Sequence, residues 1–301
     1  MITKLDEIVL KVKQKAPKRL AVACGEDPHT IEAVGKAVKE GMVKAVLTGD
    51  QEKIKKVAQE NHVDPASFEI VHVPEKTKAV YAAIERVSSG DCSFLMKGLI
   101  DSSVYMRAIL DEGKKKNASK EGPVVSHVSV IELPTYHKLL VVSDIAVIPY
   151  PDLKMKLAML NYSIAVAHSM GIEKPKASIV CAVEKVNVKM PPTVDAAIIA
   201  KMSDRGQIKG AVVDGPLSLD ASVSKESKQI KSIESEVAGD ADILIFPNID
   251  VGNVFFKTCT QLAKAEVAAI VTGAFCPCIL TSRADSEKSK YYSIALGSLM
   301  A

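Results

Sequence analysis

The sequence predicts an α/β protein of two domains, each with a mixed, mostly parallel sheet. Short apolar runs alternate with longer amphipathic stretches along nearly the whole chain, which is typical of parallel sheets with helices on both faces. This alternation is broken once, near the middle of the chain. The length of 301 residues is enough for one large α/β domain or two of ordinary size.

The predicted strands are short segments rich in valine, isoleucine, leucine and alanine. In chain order they are Leu20–Cys24, Ala45–Leu47, Glu69–Val73, Ser93–Met96, Val125–Ile131, Leu139–Ile148, Ser178–Val183, Ala211–Val213, Asp242–Phe246 and Ala268–Thr272. Helical patterns fill most of the intervals, at Ile31–Gly41, Gln51–Asn61, Thr77–Val87, Val104–Asp111, Leu153–Met170, Thr193–Ser203, Lys228–Val237, Val254–Ala265 and Glu287–Met300. The fold class is therefore α/β.

The break in the alternation marks the predicted domain junction. Val125–Ile131 and Leu139–Ile148 are both strand-like and only a short polar segment separates them, which favours an antiparallel pair. Gly122 and Pro123 form a natural break just before this pair. No low-complexity linker follows, so we expect the two halves to pack closely with a cleft between them. Clefts between domains are favoured ligand sites.

Composition and charge are those of a globular protein without an obvious polyanionic partner. Hydrophobic residues make up 48% and charged residues 25%, and 39 basic against 36 acidic residues leave a net charge of +3. This balance argues against nucleic acid and membrane surfaces as partners. Charged residues interrupt the apolar runs near the N-terminus and no stretch reaches the length of a membrane span, so we expect a cytoplasmic protein.

The six cysteines do not form the pattern of a disulfide framework. Cys276 and Cys278 are the only close pair, and no second pair or nearby histidine completes a zinc site. We expect buried, reduced thiols and no bound metal.

The segment Thr281–Glu287 lies between an apolar run and a helix. Hydroxyl and acidic residues at a helix start are ordinary caps, because they accept hydrogen bonds from free backbone N–H groups. The same groups, together with the helix dipole, also suit an anion site. In that case Arg283 would bind phosphate through two parallel hydrogen bonds, and Ser282 would donate to an oxyanion.

A second polar segment, Leu95–Arg107, follows a predicted strand and enters a helix through a turn rich in small and hydroxyl residues. Ligands of α/β proteins bind at such carboxyl ends of strands. Arg107 lies about one turn into the helix and would reach back toward the loop, although a solvated helix arginine is the plainer interpretation. No Walker sequence or Gly-x-Gly-x-x-Gly is present, which argues against chemistry on nucleoside triphosphates or Rossmann dinucleotides.

The third segment, Asp242–Lys257, runs from a buried strand through Pro247 and Asn248 into a helix. A capping role for Asp250 or Asn253 would explain some of the polar residues in this segment. The cluster of Asn, Gly and Lys also suits a polar ligand. Val213–Asp220 is a similar strand exit. Several polar loops at strand ends are what a shared ligand site requires.

These segments, in this order, resemble the phosphate acetyl- and butyryltransferase family over nearly the whole chain. Val213–Asp220, Asp242–Lys257 and Gly273–Asp285 match its characteristic blocks, and so does Leu139–Leu153 with Ser143, Asp144 and Pro149–Asp152. The length near 300 residues and the residue identities at Pro149–Leu153 and Ser282–Ser286 are more similar to the butyryl branch than to the acetyl branch.

The resemblance implies a two-domain fold like that of isocitrate and isopropylmalate dehydrogenases. The first domain would comprise residues 1–123 and 284–301, and the second residues 124–283. It also implies a homodimer or higher homo-oligomer. The implied reaction is reversible acyl transfer between coenzyme A and inorganic phosphate, with coenzyme A as a substrate and with no metal or redox cofactor.

Site residues are carried over from the resemblance by position. Ser282 matches the serine that stabilises the transition state, Arg283 its arginine neighbour and Arg107 a second phosphate-binding arginine. The acetyl enzymes place an aspartate base where this chain has Ser289; Asp285 and Glu287 lie nearby, and we favour Asp285 as the base. An arginine of the acetyl enzymes has no clear counterpart, and Lys97 is expected to supply its charge. The remaining expected substrate-binding residues are Gly98, Ser103, Asn248, Gly252, Asn253, Lys257 and Gly273.

Three other functions compete with this interpretation. A decarboxylating hydroxy-acid dehydrogenase would share the fold but needs an aspartate-held metal and a dinucleotide-binding patch, for which we find no motif. An acyltransferase that prefers acetyl groups or uses another acyl carrier is the closest alternative. A non-catalytic α/β binding protein is the third, and the presence of Ser282, Arg283 and Arg107 argues against it.

Overall fold

A computed structural model describes residues 1–116, 124–281 and 286–301 of the chain. In chain order its strands are β1 (Lys18–Ala23), β2 (Val43–Gly49), β3 (Glu69–His72), β4 (Phe94–Lys97), β5 (Ser126–Glu132), β6 (Leu140–Ser143), β7 (Lys176–Val180), β8 (Val212–Leu217), β9 (Ile243–Ile245), β10 (Glu266–Thr272) and β11 (Cys278–Ile279). Its α-helices are α1 (Leu5–Lys13), α2 (Pro28–Lys39), α3 (Gln51–Glu60), α4 (Lys76–Ser88), α5 (Ser102–Lys116), α6 (Leu153–Ser169), α7 (Pro191–Asp204), α8 (Leu219–Val223), α9 (Lys225–Ile230), α10 (Ile249–Lys257) and α11 (Glu287–Met300). The α/β fold class is confirmed.

The chain folds into two compact units. The terminal unit comprises Leu5–Val125 and Val267–Ala301, and the central unit comprises Met1–Lys4 and Ser126–Glu266. The sequence had assigned residues 267–281 to the other domain together with 282 and 283, which lie outside the described residues; residues 267–281 lie in the terminal unit, where β11 pairs both with β10 and with β4. Residues 1–4 lie in the central unit, where the N–H of Ile2 donates to the carbonyl of Met170 at 3.0 Å.

The terminal unit has the strand order β3-β2-β1-β4-β11-β10. All its pairs are parallel except β10 with β11. The central strands β1 and β4 are apolar and buried from Leu20 to Ala23 and from Phe94 to Met96, as expected for strands covered on both faces. Helix α11 is buried from Ser289 to Ser298, and it is held by Tyr292, which donates to Asp6, and Tyr291, which donates to Glu40.

The central unit has the strand order β5-β6-β9-β7-β8. Strands β5 and β6 form the antiparallel pair that the sequence predicted, and the other pairs are parallel. The strand pairing within each unit is therefore mixed and mostly parallel, which confirms that part of the prediction. Among the helices within the described ranges, none has the length and apolar character needed to cross a membrane.

Several predicted boundaries are wrong, each for a local reason. Strand β6 ends at Ser143 rather than Ile148, because the carboxylate of Asp144 accepts the N–H groups of Ala146 and Val147 in a turn. Helix α9 ends at Ile230 rather than Val237, and Ser232 then adopts a left-handed φ of 50°. The prediction also missed α1, α8 and the two-residue strand β11.

Candidate functional site

A small pocket lies at the carboxyl end of β4 in the terminal unit. Its lining includes two lysines that are almost completely buried, Lys97 with 4% and Lys290 with 2% of its surface exposed. Buried lysines in proteins are paired or bind anions, because an isolated buried charge is very costly. The other lining residues are Asp27, Thr30, Gly98, Leu99 and Thr281.

The position of Lys97 is fixed by the loop that follows β4. Its Nζ donates to the carbonyl of Gly98 at 3.2 Å and to the carbonyl of Ile100 at 3.0 Å. Gly98 packs directly on the end of β1: its N–H donates to Ala23, and a Cβ at this position would lie 2.1 Å from the carbonyl oxygen of Cys24. Only glycine fits here, so both predicted residues occupy one tightly constrained turn.

The first turn of α2 forms another part of the pocket lining. Asp27 caps the helix by accepting the N–H of Thr30 at 2.9 Å and its hydroxyl at 2.5 Å, and Pro28 takes the first helical position. The charged residues of the described lining are thus two lysines and one aspartate. Neither Asp27 nor Lys290 was predicted from the sequence, since a capping aspartate and a helix lysine carry no distinctive motif.

The predicted residues of α5 lie at its beginning. Ser103 is in the first turn and Arg107 one turn later, so both lie on the same face of the helix, and both are exposed. An exposed guanidinium one turn from the loop of Lys97 is available to a ligand from solution. Its assigned role in phosphate binding stays a prediction.

Ser282, Arg283 and Asp285 lie outside the described residues, so their predicted roles rest on the sequence. The residues on either side are described. Thr281, which precedes Ser282, is buried and lines the lysine pocket. Ser286 caps α11, where its hydroxyl accepts the N–H of Ser289 at 3.1 Å. The capping role expected within Thr281–Glu287 therefore belongs to Ser286.

The predicted polar residues of Asp242–Lys257 have mainly structural contacts in the central unit. Asn248 caps α10 by accepting the N–H of Val251 at 3.0 Å, so the expected caps Asp250 and Asn253 are wrong. The helix begins earlier than predicted because Pro247 ends the preceding extended segment and Asn248 is already in a capping conformation. Lys257, at the end of α10, is exposed and its Nζ lies 5.4 Å from the ring centroid of Phe256.

Gly252 and Asn253 attach α10 to the segment that follows β6. A Cβ on Gly252 would lie 2.1 Å from the carbonyl oxygen of Asp144, and the side-chain amide of Asn253 donates to the carbonyl of Ile145 at 3.0 Å. Gly273 lies elsewhere, after β10 in the terminal unit, with a φ of 79° that favours glycine. The structure therefore groups Lys97 with Gly98, and Asn248 with Gly252 and Asn253, each group within its own unit.

The sequence reasoning missed Asp144 as a site-forming residue, although Ser143 and Asp144 were noted as a family match. Asp144 has 1% of its surface exposed. One carboxylate oxygen accepts the hydroxyl of Ser126 and the N–H of His127, and the other accepts the N–H groups of Ala146 and Val147. This buried carboxylate therefore holds together the ends of β5 and β6. The sequence signal for this structural role was the pair Ser143 and Asp144 at the end of β6.

Comparison with known proteins decides the family. A family model described as "Phosphate acetyl/butaryl transferase" matches residues 4–80 and 74–298. The chain belongs to this family. Members transfer acyl groups between coenzyme A and phosphate, and the chain is accordingly an acyltransferase.

Individual relatives cover essentially the whole chain. A phosphate butyryltransferase from Clostridium acetobutylicum is 45% identical over 301 residues, which are 100% of this chain and 99% of the relative. A phosphate acetyltransferase from Thermotoga maritima is 43% identical over 297 residues, 99% of each chain. A crystal structure of a branched-chain phosphotransacylase from Enterococcus faecalis V583 matches with a TM-score of 0.79 and 29% identity, covering 94% of this chain and 99% of that one. The chain is nearly as identical to the acetyl enzyme as to the butyryl enzyme, so the identities do not distinguish between these two acyl groups.

Proposed function

We propose that this protein transfers a short acyl group, butyryl in preference to acetyl, reversibly from acyl-CoA to inorganic phosphate. The observation that carries the proposal is the pocket at the end of β4, where two buried lysines lie beside the residue that precedes Ser282. Two buried ammonium groups attract an anionic group such as a phosphate oxygen, and family membership gives the reaction.

In the proposed mechanism, Lys97 and Lys290 attract the phosphate oxygens in a region with little access to water, where electrostatic attraction is strong. Arg107 and Arg283 bind the same phosphate, and Ser282 donates a hydrogen bond to the oxyanion that forms on the acyl carbonyl. A base removes the thiol proton of coenzyme A, and the thiolate attacks the acyl phosphate. Asn248, Gly252, Asn253, Lys257, Ser103 and Gly273 complete the proposed substrate-binding set.

Two carboxylates near Ser282 are candidates for the base, and we propose Asp285. Glu287 lines a different groove, together with Lys36, Lys39 and Asp64, on the outer side of α2. Ser289, at the position of the base in the acetyl enzymes, is buried and its hydroxyl lies 3.0 Å from that of Ser286. This arrangement supports Asp285, which is separated from Ser282 by only two residues.

Further parts of the proposal follow the family. The fold would be of the isocitrate and isopropylmalate dehydrogenase type, the active form a homodimer or larger homo-oligomer, and coenzyme A a substrate with no other cofactor. We also propose a cytoplasmic location, which six unpaired cysteines support, since reducing compartments keep thiols free.

The first experiment measures release of free thiol from butyryl-CoA and acetyl-CoA, with and without phosphate. Phosphate-dependent release that is faster with butyryl-CoA is the expected result. Faster release with acetyl-CoA would keep the reaction and correct the acyl chain in favour of the alternative acetyltransferase. Absence of phosphate-dependent thiol with any short acyl-CoA would overturn the proposal and favour a non-catalytic binding protein.

The base is tested by Asp285→Asn, with Glu287→Gln as its matched control. General-base catalysis contributes about 100-fold or more to a rate, so Asp285→Asn should lower kcat by at least that factor while Glu287→Gln leaves it nearly unchanged. The opposite pattern would assign the base to Glu287.

A further inference from the structure

A pair of thiols lies in the terminal unit, where β11 pairs with β4, the strand that carries the pocket lysine Lys97. The Sγ atoms of Cys276 and Cys278 are 3.6 Å apart, and Cys278 also lies 3.4 Å from the carbonyl of Cys276. Both residues are free cysteines; Cys276 is partly exposed and Cys278 is fully buried. An S–S bond of about 2.05 Å requires the two sulfurs to approach further, which shifts the short segment that carries them.

The pair is connected directly to the proposed phosphate pocket. Cys278 pairs with Leu95 and Ile279 with Met96, so the next residues along the two strands are Leu280 and the pocket lysine Lys97. The carbonyl of Pro277 accepts the N–H of Leu95 at 3.1 Å. A change in the backbone at Cys276 and Cys278 therefore displaces β11 against β4 and moves Thr281 relative to Lys97.

We propose that Cys276 and Cys278 are a redox modification site, at which a peroxide converts the two thiols into a reversible disulfide that inhibits acyl transfer. The structure fixes the order of events: the partly exposed Cys276 meets the oxidant, and the buried Cys278 resolves the product. Intracellular disulfides, where they occur, are mostly of this transient, redox-sensing kind. The disulfide would close a small ring, because only one residue separates the two cysteines. So small a ring favours a labile disulfide that thiols reduce readily.

The two steps balance with hydrogen peroxide as the oxidant. The sulfur of Cys276 attacks one peroxide oxygen, the O–O bond breaks, and the products are a sulfenic acid and water. The sulfur of Cys278 then attacks that of Cys276, the S–O bond breaks, and a second water leaves with the proton of Cys278. Together the two thiols lose two electrons, and one peroxide becomes two waters.

Mass spectrometry tests the disulfide without any assay of acyl transfer. Trypsin releases both cysteines, and no other, in the single peptide of residues 265–283. After peroxide treatment of the full-length protein, iodoacetamide should add no group to this peptide, and dithiothreitol should restore addition at both cysteines. Alkylation of both cysteines after treatment, or overoxidised sulfur without a disulfide, would overturn the proposal.

The inhibition rests on the proposed acyltransferase function and is tested separately. Peroxide should lower the activity by at least about tenfold, since small displacements of binding groups have effects of this size or larger, and dithiothreitol should restore it. Cys276→Ser should resist peroxide, whereas the control Cys92→Ser, which removes a buried lone thiol, should stay sensitive. Equal inhibition of the Cys276→Ser variant would assign the loss to another residue.

Discussion

The two units use polar residues at their strand ends in different ways. In the terminal unit, the end of β4 carries Lys97, which lines a pocket with the equally buried Lys290. In the central unit, the end of β6 carries Asp144, whose two carboxylate oxygens accept four hydrogen bonds from its own surroundings. The strand end of β4 places lysines at the lining of a pocket, whereas the carboxylate at the end of β6 accepts hydrogen bonds that join strand ends.

This difference shows why a polar residue after a strand is weak evidence for a ligand. Asn248, Gly252 and Asn253 stood out in the sequence as much as Lys97 and Gly98, yet Asn248 caps α10, and Gly252 and Asn253 attach it to the backbone after β6. Such residues still shape a site by fixing its backbone. The distinction matters for mutagenesis. Removal of a ligand-binding group should change the kinetics with the substrate, whereas removal of a structural contact should change the free energy of unfolding.

The largest expected effect comes from the pocket. Lys97→Met should lower kcat/KM for phosphate by about 100-fold, because it removes a preorganised charge from a site with little access to water. The matched control is Lys44→Met, at an exposed lysine of β2 in the same unit. Initial rates at varied phosphate concentration measure the effect. Unchanged phosphate affinity in Lys97→Met would exclude Lys97 from phosphate binding.

The buried carboxylate should give the largest effect on stability. Asp144→Ala leaves the donors of Ser126, His127, Ala146 and Val147 without their acceptor, so the free energy of unfolding should fall by about 3 kcal/mol. Urea unfolding followed by circular dichroism measures this change.

Asp204→Ala, at an exposed residue, is the control for Asp144→Ala and should stay close to the parent protein. If Asp144→Ala kept full stability but lost activity, Asp144 would belong to the ligand site and the contrast between the two units would fail.

The same steric clash can be introduced at one glycine in each unit, Gly98 in the terminal unit and Gly252 in the central unit. A Cβ on Gly98 or on Gly252 would lie 2.1 Å from a backbone carbonyl oxygen, so Gly98→Ala and Gly252→Ala should each destabilise the protein by about 2 kcal/mol. Only Gly98→Ala should also raise the KM for phosphate several-fold, because its loop positions Lys97. Equal effects of both variants on KM would show that both strand ends bind the phosphate.

The smallest expected effect is the acid sensitivity of a surface cluster in the central unit. Hydrogen bonds from Lys231 and Ser218 hold the pKa of Asp220 at about 2, and the pKa of Glu184 is also lowered by these two residues. Since both pKa values are depressed in the folded state, the stabilisation is present above the unfolded values of about 4 and is lost as the pH falls toward about 2.

Comparison of urea midpoints at about pH 5 and about pH 2.5 measures this loss, with Lys231→Met as the comparison protein. The parent protein should lose slightly more stability on acidification than Lys231→Met, because the half-exposed Asp220 is screened by solvent. Equal losses in the two proteins would show that the cluster contributes nothing measurable.

The local pattern of apolar and polar residues was sufficient to predict most of the helices and strands, and a division into two units. Alternating apolar runs predicted the strands from β1 to β10, and the short polar segment before Leu139 predicted the antiparallel pair β5 and β6. Strand β11 escaped prediction because two residues have no periodicity, and it exists only by pairing with β4 and β10. The end of β6 was misplaced because the apolar run continues beyond the turn that Asp144 imposes.

Taken alone, the sequence determined the fold class, the family and the loops in which polar residues follow strands, since these depend on residue types and spacings along the chain. Only the tertiary structure decided that Lys290 joins Lys97 in one pocket and that the carboxylate of Asp144 accepts hydrogen bonds from within the fold. Each of these facts depends on contacts between residues far apart in the chain. Such contacts arise when strands take their order in a sheet, and no local pattern encodes that order.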